Sequence, residues 1–170
     1  MPRPPRDSEG SAPKKKTKGP PKVAFPKRNQ QPTANAFAAQ LPLSSGKRFE
    51  AVRTFLLKLK DVSEDVFFYG PRSGWGLRYM SAGRVLCTLL IHGGVPMGII
   101  SLDGPTGEAV DWSHLSEVGQ RARDAAHGSP SLLWLDVPLD GSGAGDFKAL
   151  VKLKANNLRA LAKTLLPREA

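Results

Sequence analysis

Between residues 67 and 89, runs of strand-forming residues are interrupted only by Gly70-Pro71-Arg72-Ser73 and Ser81-Ala82-Gly83, and this spacing constrains the fold more than any other feature. Connections so short cannot carry a parallel crossover, which needs about a dozen residues or more, so successive strands must be antiparallel neighbours. With the Gly93-Gly94 turn that follows, the pattern predicts strands at 66–69, 74–80, 84–92 and 95–102. A meander is the simplest topology. In the second strand Trp75, Leu77 and Tyr79 share one face and Arg78 takes the other. In the third, Val85, Cys87, Leu89 and Ile91 oppose Leu86, Thr88, Leu90 and His92. A strand apolar on both faces is expected to be central and covered, at least in part, on both sides.

The flanking segments read as helices. Ser44 or Ser45 can cap one that begins near Gly46, where Phe49, Val52, Phe55, Leu56 and Leu59 recur at three- and four-residue spacing under a basic exterior. After the Asp103-Gly104-Pro105 turn, residues 106–127 read as one helix, or two short ones broken near Gly119. Residues 131–139 form a further strand, with Leu133, Leu135 and Val137 on one face and Leu132, Trp134 and Asp136 on the other. Gly-rich 141–145 is expected to be a flexible connection, and Asp146 the cap of a last helix striped by Phe147, Leu150, Val151, Leu158 and Leu161. The class is α+β, a mainly antiparallel sheet of four or five strands packed against helices within one domain at 43–166.

The formal charge of +10 looks like a nucleic-acid signal until it is divided along the chain. Residues 1–40 hold nine Lys and Arg against Asp7 and Glu9, a net +7, which leaves only +3 for the other 130 residues. Most of the 15 prolines also fall before residue 43, with few large apolar side chains. A segment of this composition cannot bury enough surface to offset its ordering entropy, so 1–42 is expected to be a disordered basic tail. Within it, Lys14, Lys15, Lys16 and Lys18 are the candidate nonspecific contact to nucleic acid through counterion release.

Cys87 is the sole cysteine, which excludes an intramolecular disulfide and any site needing several thiolates. No apolar run approaches the roughly 18–20 residues that span a bilayer, and no signal-peptide core follows the basic start, so a cytoplasmic protein without membrane attachment is expected. The three histidines, His92, His114 and His127, lack the spacing of a helical zinc site, and neither Gly74-Trp75-Gly76 nor Gly141–Gly145 matches a phosphate-binding fingerprint. No metal or cofactor is expected. What remains is a candidate pocket of Tyr69, Trp75, Arg78, Tyr79, Cys87 and His92, brought near one another by strands about 4.8 Å apart. Trp75 and Tyr79 fit either a pocket wall or the core, since aromatic rings serve both. Cys87, in a dense apolar strand, reads as a small buried hydrophobe rather than a nucleophile.

Tyr69-Gly70, Gly74-Trp75, Arg78-Tyr79, Gly83 and Leu86-Cys87-Thr88-Leu89 together resemble the pattern of the bacterial family called domain of unknown function 3788. Trp134-Leu135-Asp136-Val137 and Leu150-Val151-Lys152-Leu153-Lys154 are similar to that family's later strand and closing helix, and the likeness covers about residues 46–160. The chain departs from the pattern at Met80, Val85, His92-Gly93-Gly94 and Ser129-Pro130-Ser131. The resemblance implies a fold and a bacterial cytoplasmic setting, and neither a reaction nor catalytic residues.

The leading functional expectation is therefore a noncatalytic binding module that offers its Trp75/Tyr79 sheet face to a small molecule or a protein segment. A nucleic-acid-associated protein using the basic tail is the alternative. An enzyme resting on Arg78, Cys87 and His92 comes third.

Overall fold

Two tight turns set the register at the centre of the sheet. Ala82-Gly83, with φ of 50° and 70°, joins β2 (Trp75–Ser81) to β3 (Arg84–His92), and Gly93-Gly94, at 60° and 76°, joins β3 to β4 (Val95–Asp103). Two successive left-handed residues give the hairpin turn whose twist matches that of the flanking strands. Ala82 adopts this backbone at a cost of roughly 1–2 kcal/mol, so the hairpin on either side holds it there.

The computed structural model describes residues 23–165. Over these residues the protein is α+β, as expected, with one antiparallel sheet of six strands in the order β1-β2-β3-β4-β6-β5. The edge strands are β1 (Val62–Phe68) and β5 (His127–Ser129), and β6 (Leu132–Pro138) lies between β4 and β5. The sixth strand, β5, is too short to show a periodicity and lies where the sequence reads as the end of a helix. β1 begins four residues before its predicted start, because Glu64 and Asp65 interrupt the apolar alternation that would have marked it.

Among the described residues four α-helices accompany the sheet: α1 (Leu43–Lys58), α2 (Gly104–Glu108), α3 (Glu117–Asp124) and α4 (Gly143–Leu165). Phe49, Val52 and Leu56 of α1 and Phe147, Leu150, Val151 and Leu158 of α4 are buried with Leu77, Tyr79, Leu89, Ile91, Leu102, Leu135 and Val137 of the sheet. The core is thus a single layer of side chains between the helices and one face of the sheet. The Phe147 ring lies against the backbone of β4 at Gly98, where an added Cβ would stand 2.4 Å from it. Among the described residues no helix is long and apolar enough to cross a membrane.

Four expectations require correction. α1 starts at Leu43 behind Pro42, so Ser44 and Ser45 lie inside its first turn rather than capping it. Gly119 lies within α3 instead of breaking a helix, and the actual interruption is the 3-10 turn at Trp112–His114. α4 begins inside the supposed flexible connection. Asp146 therefore sits within α4 and caps a different helix, accepting the Ser116 and Gly119 amides at 3.0 Å each, and the Ser116 hydroxyl, at the start of α3. A carboxylate at unpaired first-turn amides is favourable wherever in the chain it comes from.

The fourth correction concerns the tail. Residues 23–42 are folded onto the domain: Phe37 is fully buried, its ring 4.9 Å from Phe25 and 6.3 Å from Phe49. The Phe25 carbonyl accepts from the Trp75 amide at 3.0 Å, and Val23 bridges to His92. Two aromatic anchors hold a segment whose Ala- and Pro-rich composition resembles a linker. Lys14, Lys15, Lys16 and Lys18 lie outside the described residues.

Candidate functional site on the open face of the sheet

Strand parity separates the predicted pocket residues. Leu77 pairs with Leu89, and Tyr79 with Cys87 and Glu64, so Tyr79 and Cys87 point toward the helices. Trp75 pairs with Phe68 at the end of that face, where its indole nitrogen donates to the Lys27 carbonyl at 2.9 Å. Arg78 pairs with Thr88 on the opposite face, which also carries His92 and, beyond the end of β1, Tyr69. Of the six, only Tyr69 and His92 line the open-face cavity, and Arg78 stands beside it.

On the helix side the polar groups are tied to one another. Arg53 of α1 grips Glu64 with two bonds of 2.8 Å, the Tyr79 hydroxyl donates to the same carboxylate at 2.6 Å, and Asn35 accepts from Arg53 at 2.7 Å. Burial pushes the Glu64 carboxyl up, but the Arg53 and Tyr79 hydrogen bonds outweigh it and hold the group below its ordinary range. Tyr79 is pushed far upward by burial and by the Glu64 carboxylate it faces. Burial likewise raises the Cys87 thiol, against a weaker opposing effect of Lys154, which leaves no thiolate at neutral pH for nucleophilic work. These side chains brace the fold.

The open face is different in kind. No described helix covers it, and a cavity of about 680 Å³ lies across the middle strands. Its floor is apolar, from Leu90 of β3, Val95, Met97 and Ile99 of β4 and Trp134 of β6. Polar groups stand around this floor: Tyr69, Ser73 and Thr88 toward β1 and β2, His92 and His127 toward the ends of β3 and β5, and Asp136 on β6. The Tyr69 hydroxyl and Thr88 Oγ1 are 2.7 Å apart, although β2 runs between their strands. That reach depends on Gly76, where an added Cβ would lie 2.4 Å from Leu90 Cδ2 and 3.2 Å from Tyr69 Cε2. Burial raises the Tyr69 phenol against the bond to Thr88, so it serves as a neutral hydroxyl.

Arg78 is already engaged. It forks onto Asp65 at 3.0 and 2.6 Å, and its guanidinium carbon lies 4.0 Å from the centroid of Phe67, whose ring meets Tyr69 edge-on at 5.0 Å. The Asp65 bond raises the Arg78 pKa further, and the series Asp65-Arg78-Phe67 backs Tyr69, the member that lines the cavity. Among the described residues no group of three or more His, Cys, Asp or Glu is placed to hold a metal ion.

Sequence reasoning missed Thr88, Leu90, Met97, Trp134 and Asp136 as site residues. The signal was present in the alternation of β3 and β6, but the apolar parity of β3 opposite Cys87 reads as a second buried face. No family model, curated protein or solved structure matches the chain.

Proposed function

We propose that this protein is a noncatalytic binding module whose open sheet face takes a small molecule with an apolar body and a hydrogen-bonding end. The observation that carries this reading is the uncovered cavity of about 680 Å³, floored by aliphatic side chains and rimmed by the Tyr69–Thr88 pair and two histidines. Ligand pockets usually run about 300–1,000 Å³ and combine an apolar lining with a few placed polar groups. The likeness to domain of unknown function 3788 belongs to the same proposal and supplies no reaction.

An anilinonaphthalene sulfonate probe tests the reading. Binding to the full chain should enhance its fluorescence, and Met97→Glu, which places a charge on the half-buried floor, should weaken the affinity by about tenfold, since burying an unpaired charge costs well over 1.4 kcal/mol. Equal affinity in wild type and in a Met97→Glu variant with a native-like NMR spectrum would end the proposal.

The nucleic-acid reading is second. It rests on Lys14–Lys18 and on a separate groove of about 520 Å³ lined by Lys60, Arg159 and Lys163 beside Asp61. The open face favours the small molecule, because Asp65 and Asp136 stand among its basic groups. A DNA or RNA affinity that does not fall with salt would remove the second reading.

A further inference from the structure

β3 and β4 do not stay paired along their whole length. Their register runs from His92↔Val95 to Thr88↔Ile99, whereas β4 continues to pair with β6 as far as Asp103↔Leu132. A register shift between Tyr79 and Met80 on the other side of β3 accompanies this parting. The two strands thus leave an opening between Arg84–Cys87 and Ile100–Asp103, and Lys154 of α4 enters it from the helical layer.

Lys154 is 8% exposed, and its amino group donates to Ser101 Oγ at 3.1 Å. Ser101 shares the parity of Met97 and Ile99, so this contact passes between the strands rather than staying on the helix side. A cleft of about 150 Å³ opens beside it, lined at its polar part by Arg84, Ser101, Asp103 and Thr106. Val85, Leu132, Leu158 and Leu161 form the apolar remainder.

The charges in this cleft do not balance. Among the described residues no carboxylate lies within ion-pair distance of Lys154 or Arg84. The nearest, Asp103, is committed to α2: it accepts the Thr106 amide at 2.9 Å, and the Thr106 hydroxyl, which accepts from Asn157 at 3.1 Å, helps hold its carboxyl below the ordinary range. Arg84 stands exposed at the rim and its charge is solvated, whereas the buried Lys154 ammonium has Ser101 as its hydrogen-bond partner, no carboxylate within ion-pair distance and donor capacity to spare. A buried charge in this state is costly unless a partner arrives.

We propose that the cleft binds a short-chain aliphatic carboxylate, whose oxygens accept from the Lys154 ammonium and the Arg84 guanidinium while its alkyl end lies against Leu132, Leu158 and Leu161. A monovalent anion restores neutrality, and the planar guanidinium fork matches a carboxylate. At the roughly 30 Å³ that a water-sized group occupies, the volume takes about five non-hydrogen atoms, so the carboxylate and its first carbons fill it and the last methyl of a four-carbon chain reaches the mouth. The site shares no lining residue with the open-face cavity and stands independently of that reading.

Binding is coupled to the Lys154 proton. Burial pushes this amine down to about 8, against the opposing pull of Cys87 and Asp103. Of the charged or titratable groups around it, Arg84 and Cys87 come from β3 and Asp103 from β4; Cys87 stays protonated and Asp103 ionised between pH 7 and 9. The ammonium fraction, and with it the affinity, should fall about tenfold over that range.

The experiment is a titration of the full chain with sodium butyrate against sodium chloride at matched ionic strength, followed by the backbone NMR signals of Arg84, Ser101 and Lys154. Saturable shifts with butyrate at pH 7, about tenfold weaker at pH 9 and lost in Lys154→Met, are expected. Arg84 is an exposed rim residue, so Arg84→Met keeps the test decisive should Lys154→Met fail to fold, and it should weaken binding roughly tenfold. The proposal is overturned if chloride saturates the same signals equally, if the affinity is the same at both pH values, or if Arg84→Met binds as wild type does.

Discussion

The two faces of one sheet use similar side chains to opposite ends. Toward the helices, Tyr79, Cys87 and Leu89 are fully enclosed and the polar groups close on each other through Arg53, Glu64 and Tyr79. Toward the open side, Tyr69, Leu90, Met97 and Trp134 are equally apolar but remain in part accessible. Tyr69 and Tyr79 are ten residues apart and chemically identical, yet one is a brace and the other a cavity wall. Composition does not separate them; what covers each face does.

The sharpest way to break this comparison is to remove the same side chain from each face of β3. Leu89→Ala should cost about 2–5 kcal/mol in urea unfolding, the range for a buried leucine whose cavity cannot collapse. Leu90→Ala, one residue on, removes a half-buried side chain and should cost about 1 kcal/mol. Equal losses would mean that both faces are core.

A smaller effect is expected at Tyr79. Tyr79→Phe keeps the ring and deletes one hydrogen bond to a carboxylate that Arg53 still grips, so a destabilisation of about 1–3 kcal/mol should appear without loss of probe binding on the open face. A variant that unfolds no more easily but loses the probe would move Tyr79 into the site. The smallest effect belongs to the Arg78–Asp65 pair, which is largely exposed: Arg78→Met should shift stability by less than about 1 kcal/mol.

The sequence was most legible where local rules decide the outcome. Gly83 and Gly93-Gly94 announced the hairpins, and the antiparallel order of the middle strands followed from their spacing. It was least legible where a distant group completes the structure. Asp146 reads as the cap of its own helix because nothing local reveals that Ser116 and Gly119 lie against it. Glu64 hides a strand because its partner, Arg53, belongs to another element. For the site, alternation placed Thr88 and Leu90 together, but an apolar face looks the same in sequence whether a helix or a ligand is to cover it. Trp75 and Tyr79 drew attention because they are large, and their size suited the enclosed side.

Gly76 shows how much of the open cavity depends on an absence. Its missing methyl lets Leu90 and Tyr69 lie over the backbone of β2 and lets the phenol meet Thr88. Depth at this point is thus governed by a single carbon, on the side of the sheet that the helices do not need. An alanine here presses on Leu90, on Tyr69 and on the Leu89 carbonyl of β3, 3.0 Å away, so filling the cavity at this point also strains the neighbouring strand. The hollow above β2 and the close approach of β3 to it therefore rest on the same missing methyl.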